Sequence, residues 1–119
     1  MAIDFSLSDS QVKLQSNARD FARQVLGRVK DTISNIPKPD DRFYATRPFY
    51  EKMVEAGFLT ALIPTEDGGT GMSTVDFAIA TEELAAVDIN VPSALLSTGL
   101  GLGKSAFESR QKQVCNCCP

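Results

Sequence analysis

The chain is predicted to be an all-α domain, and three observations carry that expectation. Apolar residues recur at helical spacing over residues 9–34. Three further segments begin with a helix-start residue: Pro48, Ser73 and Pro92. No pair of alternating strands, and no strand–helix–strand unit, stands anywhere between them.

The first helix opens on a capping box. Ser8 is placed to cap the backbone, Gln11 to reach back, and Leu7 with Val12 stand at the hydrophobic-staple positions. Leu14, Ala18, Phe21, Ala22, Val25, Val29 and Ile33 then form one apolar face, while Lys13, Gln15, Arg19, Arg23 and Lys30 fill the other. Pro37 and Pro39 break the chain, because proline cannot continue a helix and biases its predecessor to extended backbone. Pro48 fits the first turn of a second helix, with Thr46 or Arg47 near its cap. Its stripe is Phe49, Tyr50, Met53, Val54 and Ala56, and Gly57 suits a left-handed residue just past its end.

"FLTALIP" reads as a short extended connection. Ser73 then caps a third helix over residues 74–88, whose apolar residues lie nearly all round it and predict a central, buried position. Asp88-Ile89-Asn90 makes a turn. Pro92 opens a fourth helical run to Leu102, in which Gly99 and Gly101 suggest close packing against a neighbour.

Composition excludes several function classes. At 119 residues the chain is long enough for one domain with a core, and too short for two. It is 43% apolar and 23% charged with a net charge of −3, so it has no excess of Lys and Arg to neutralise nucleic-acid phosphates. It contains no histidine, which removes the usual general base and the commonest metal ligand. No run approaches the roughly 20 apolar residues of a membrane span. The N-terminus lacks the pattern of a signal or transit peptide, so an intracellular, cytoplasmic location is the expectation. Cys115, Cys117 and Cys118 are crowded into the last five residues, without the separated knuckles a zinc site needs. No metal site is expected there, and the thiols belong to an oxidation-prone terminus.

The segment "ALIPTEDGGTGMS", Ala61–Ser73, comes close to a dinucleotide loop. Gly69-Thr70-Gly71-Met72-Ser73-Thr74 falls one residue short of G-x-G-x-x-G. The fingerprint also requires a parallel strand before the loop and a second strand after the helix, and neither is here. Glu66 and Asp67 put negative charge where a phosphate would arrive. The expectation is a turn that reverses the chain into a capped helix. Glu82 and Glu83 are adjacent on a helix and so point about 100° apart, which makes a shared catalytic proton unsuited to them. Glu82 falls on the more apolar side, where burial against an arginine is expected; Glu83 is expected in solvent.

"LIPTEDGGTGMSTVDFAIATEELAAVDINVPSALLSTGLGL" resembles the N-terminal helical domain of the acyl-CoA dehydrogenase superfamily, through its Ile-Pro and acidic-Gly-Gly-x-Gly loop, Glu82-Glu83-Leu84-Ala85, and the Leu-Gly rhythm that follows. Upstream, Arg42-Phe43 and Ala45-Thr46-Arg47-Pro48-Phe49-Tyr50 look most like the fungal nitroalkane oxidase branch. The resemblance implies a flavoenzyme with a helical N-terminal domain, a middle β-domain and a C-terminal helical bundle. FAD would be held by the latter two, and the catalytic carboxylate would come from the bundle. A truncated domain over residues 1–102, incomplete relative to the family, is therefore expected, followed by a divergent, disordered tail over 103–119.

The resemblance also implies that Leu96, Ser97 and Leu100 face the substrate's acyl or alkyl chain. The full-length relative would oxidise an acyl-CoA thioester, as in fatty acid metabolism, or alternatively a nitroalkane; both reactions begin with loss of an acidic carbon-bound proton. The resemblance further implies that full-length relatives are homo-oligomers. This chain alone is expected to bind no FAD, to carry no catalytic residue and to be inactive. From another class stands a helical interaction module, whose apolar third helix would recruit a protein partner. Gly103-Lys104-Ser105, where the likeness ends, is what a donor splice signal encodes when translated straight through; an intron-encoded segment and a frameshift both fit.

Overall fold

The computed structural model describes residues 3–99 and 101. Every regular element among them is helical. Helix α1 spans Asp9–Val25 and begins with the expected capping box: Gln11 N–H donates to Ser8 Oγ at 3.3 Å, and Ser8 N–H donates to Gln11 Oε1 at 3.0 Å. The single helix expected over residues 9–34 is instead three segments. A 3-10 turn, Leu26–Arg28, follows α1 directly, and α2 spans Val29–Ile33. Gly27 sits inside that turn, where its entropy weakens α-helix. Residues three apart stack in a 3-10 turn, so Leu26 and Val29 both enter the core.

Helix α3, Pro39–Ala45, stands where proline was expected to break the chain. Pro39 occupies the first helical position, where its missing N–H has no intrahelical partner to lose, and Asp40 and Asp41 in the first turn complement the helix dipole. Helix α4, Arg47–Glu55, has Thr46 at its cap position and Pro48 in its first turn, as expected. The Thr46 hydroxyl does not cap α4; it donates to the Phe43 carbonyl at 2.6 Å and joins α3 to α4. The end of α4 also follows expectation. Gly57 has φ +89, Phe58 N–H donates to Met53 O, and Gly57 N–H donates to Val54 O, which is the Schellman arrangement.

"FLTALIP" is not extended. Ala61 N–H donates to Phe58 O and Ile63 N–H to Thr60 O, so the segment coils and places Ala61 in the interior. Helix α5, Thr74–Val87, starts at Ser73, whose Oγ accepts from Asp76 N–H at 3.1 Å. The last helix, α6, covers residues 90–99, two residues earlier than Pro92 predicts. Asp88 allows that start: one carboxylate oxygen accepts from Val91 N–H at 3.0 Å and the other from the Asn90 amide at 2.9 Å.

Ala22, Leu26, Val29, Met53, Leu84, Val91 and Leu95 form one buried cluster drawing on α1, the 3-10 turn, α2, α4, α5 and α6. Phe21 and Phe58 close its edge with ring centroids 5.4 Å apart. Helix α5 is buried on one face only, contrary to the expectation from its all-round apolar pattern. Phe77, Ile79, Ala80 and Leu84 are covered, whereas Val75, Ala78 and Ala86 are exposed. Gly99 is buried, and among the described residues no atom lies within 4 Å of where a Cβ would stand on Gly99 or Gly101. The tail expected over 103–119 lies outside the described residues.

Candidate functional site

The glycine loop is a closed piece of backbone. Six successive N–H groups, from Asp67 to Met72, donate to backbone carbonyls: Asp67 and Gly69 to Pro64, Gly68 to Thr65, Thr70 to Thr60, Gly71 to Ile63, and Met72 to Ala61. A phosphate cradle needs those N–H groups turned outward to the anion. Here they are consumed, so the loop does not fit the pyrophosphate of a dinucleotide such as FAD. Its product is geometric: the chain is delivered to Ser73, and α5 begins.

Two side-chain bridges fix α5 against α1. Gln11, whose Oε1 serves the capping box, donates through Nε2 to Asp76 Oδ1 at 3.1 Å. Arg19 grips Glu83 with both ends of its guanidinium, Nε to Oε2 and Nη2 to Oε1, each at 2.9 Å. The two glutamates thus take opposite parts to those expected. Glu83 is the paired residue, with a side chain only 12% exposed against 46% for Arg19, and Glu82 is exposed. Their 100° separation around α5 is the reason: only Glu83 turns to the side where α1 lies.

Hydrogen bonds from Arg19 hold the Glu83 carboxyl below its ordinary range, partly opposed by burial and aided by Arg19's charge, Gln15 and Arg23. The same bonds raise Arg19. A carboxyl lowered in the folded state contributes stability that is present above its ordinary range and lost as pH falls through its folded value. Glu83→Gln is therefore expected to lower the denaturation midpoint at neutral pH, with the gap from the parent chain closing as pH falls below the usual carboxylate range. Urea titrations at several pH values measure this, and a gap constant with pH would exclude the ion pair as its source.

Of the predicted substrate-facing residues, Leu96 is half-buried on α6 and Ser97 is exposed, its hydroxyl donating to the Ser93 carbonyl at 2.9 Å. Leu100 lies outside the described residues. The side of α6 that carries Ser93 and Ser97 is left uncovered by the chain's own core. A different face of α6 meets an open groove of about 520 Å³, whose α6 wall is Val91, Ala94 and Thr98 and whose opposite wall comes from α3 and α4. Its aromatic residues, Phe43, Tyr44 and Tyr50, were not foreseen as lining. The signal was present in the aromatic-rich "RFYATRPFY", but a groove requires α3, which the two prolines concealed. No group of His, Cys, Asp and Glu among the described residues is suited to a metal ion, and no helix there is long and apolar enough to cross a membrane.

Residues 8–109 match the family model of the acyl-CoA dehydrogenase N-terminal domain. The chain is 39% identical over 100 residues to the nitroalkane oxidase of Fusarium oxysporum, covering 84% of this chain and 23% of that protein. It is 38% identical over 103 residues to the nitroalkane oxidase of Podospora anserina, covering 86% of this chain and 24% of that protein. It is 30% identical over 98 residues to the 3-sulfinopropanoyl-CoA desulfinase of Advenella mimigardefordensis, covering 82% of this chain and 23% of that protein. Among solved structures it superimposes with a TM-score of 0.77 on a nitroalkane oxidase active-site variant crystallized with 1-nitrooctane, at 39% identity, over 84% of this chain and 23% of that one. The Podospora anserina enzyme gives a TM-score of 0.79 at 37% identity, over 89% and 25%. The chain thus spans about a quarter of the length of these relatives. Its helical fold superimposes on part of these solved structures, and the chain belongs to the acyl-CoA dehydrogenase family, as its N-terminal domain.

Proposed function

We infer that this chain is the N-terminal part of a flavin-dependent nitroalkane oxidase-like enzyme, in which α6 forms a wall of the cavity for the substrate's alkyl chain. The observation that carries this reading is the pair of nitroalkane oxidases at 39% and 38% identity. That likeness favours a nitroalkane over an acyl-CoA thioester as the proposed substrate. Leu96, Ser97 and Leu100 supply the wall: a half-buried leucine beside an exposed serine suits a face that the rest of a longer protein completes. FAD belongs to that remainder, since the glycine loop spends its amides internally. The homo-oligomeric state belongs to the full-length enzyme in the same reading. The chain's own contribution is binding and shape, with no catalytic residue. An acyl-CoA thioester is the second reading, favoured by the likeness to a protein named for 3-sulfinopropanoyl-CoA.

A domain replacement tests both. This chain takes the place of the matching N-terminal segment in the Fusarium oxysporum nitroalkane oxidase. The chimera is expected to be yellow and to oxidise nitroalkanes, whereas the 119-residue chain alone takes up no FAD. In the chimera, Leu96→Phe is expected to lower kcat/KM for 1-nitrooctane about tenfold more than for nitroethane, because the longer chain meets the enlarged side chain. A flavin-loaded chimera that ignores nitroalkanes and oxidises an acyl-CoA moves the assignment to the second reading. Equal losses on both nitroalkanes would place the alkyl chain away from Leu96.

A further inference from the structure

The groove between α3–α4 and α6 differs in character from the rest of the chain. Its walls are Phe43, Tyr44 and Tyr50 on one side and Val91, Ala94 and Thr98 on the other, with Arg47 also lining it. A shallower hollow of about 340 Å³ shares Phe43 and Thr46 with it and adds Arg42. In a chain of net charge −3, the two hollows together are lined by two arginines and, among the described residues, no carboxylate. The main groove, about 520 Å³, has the size of a small-molecule site.

We propose that this groove binds a small organic anion with an apolar body, of the alkyl or aryl carboxylate class, its body between the aromatic rings and α6 and its carboxylate on Arg47. Each half of such a ligand has a matching surface. Apolar area leaves water against Phe43, Tyr50 and Ala94, and a guanidinium presents the planar donor fork that a carboxylate accepts. Arg47 Nε donates to Glu51 Oε1 at 2.9 Å in an exposed pair, one of the five N–H donors an arginine carries. Glu51 is therefore a competitor for the same charge, which gives the proposal a distinctive signature. The site is separate from the substrate wall inferred above. Leu96 lies two residues from Ala94, about 160° around α6 by helical geometry, and neither it nor Ser97 lines the groove.

The probe is octanoate, titrated into the isotopically labelled chain and followed by amide chemical shifts, with octan-1-ol and octylammonium as charge controls. Saturable shifts are expected at Arg47, Ala94 and Thr98, with octanoate binding about tenfold tighter than octan-1-ol and octylammonium weakest. Arg47→Gln is expected to reduce octanoate to the level of the alcohol. Glu51→Gln, by removing the competitor, is expected to tighten octanoate severalfold and leave the alcohol unchanged. Thr98→Trp, which fills the groove from an exposed position, is expected to abolish both. Absence of saturable shifts at these residues overturns the proposal. So does equal affinity for octanoate and octylammonium, or a response at Leu96 and Ser97 in place of Ala94 and Thr98.

Discussion

Truncation of Leu84 to alanine is expected to remove about 2–5 kcal/mol of folding stability, a large part of what a single small domain possesses. Leu84 is 1% exposed and is α5's member of the central cluster, whose other members come from α1, the 3-10 turn, α2, α4 and α6. Loss of its isopropyl end leaves a void that cannot collapse without moving several helices together. The effect reaches α6, the proposed substrate wall, as well, because Val91 and Leu95 belong to the same cluster. Urea denaturation measures it as a fall in midpoint with an unchanged slope. Val75→Ala is the matched control on the same helix. Val75 is 60% exposed, so its truncation is expected to change stability by less than about 0.5 kcal/mol. Comparable losses at the two positions would mean that α5 is enclosed on all sides, as its composition alone predicts.

What was legible in the sequence was mostly what is decided within a few residues. Ser8 with Gln11, Ser73 and Gly57 each satisfy or redirect their own helix end, so side-chain chemistry and spacing suffice to identify them. The same locality misled at Pro39. A proline after a broken stretch both forbids continuation and favours initiation, and α3 buries no residue whose periodicity would have separated the two. The groove depends on α3 and was hidden with it.

The Glu82–Glu83 reversal has a different origin. The helix fixes the angle between the two side chains, but the partner that selects one of them is Arg19, 64 residues away. Arg19 and Arg23, one turn apart on α1, were the visible hint of a cationic stripe facing α5. One-sided burial of α5 was likewise beyond reach, since apolar composition states what a helix tolerates and the number of neighbours states what it receives. The coil of "FLTALIP" is tied down by bonds from the amides of residues 70–72 back to Thr60, Ala61 and Ile63, which pattern alone does not display.

Gly69→Ala is expected to destabilise the chain by about 3 kcal/mol, at the upper end of what overpacking costs, although glycine there keeps a negative φ. The requirement is for space. A Cβ on Gly69 would stand within contact radius of the Ile63 carbonyl oxygen and press on the Ile63 carbonyl carbon and Cβ, atoms of the chain that cannot rotate away as a flexible side chain would. Relief would separate residues 60–63 from 70–72 and strain the bonds from Thr70 N–H to Thr60 O, Gly71 N–H to Ile63 O, and Met72 N–H to Ala61 O. Gly68 provides the contrast. Its φ is +86 and no atom lies within 4 Å of its Cβ position among the described residues, so Gly68→Ala meets only the left-handed backbone penalty of about 1–2 kcal/mol. Gly68→Asn should recover part of that loss, since asparagine tolerates this conformation, while Gly69→Asn should recover nothing. Hydrogen exchange adds a local readout: Gly69→Ala should selectively speed exchange at the Thr70, Gly71 and Met72 amides. Equal losses from the two alanine variants, with rescue by asparagine at both, would show that backbone angle governs the loop. Loss at Gly69 without rescue means that this near-fingerprint glycine is required for chain crossing, in a loop whose amides are spent on its own backbone.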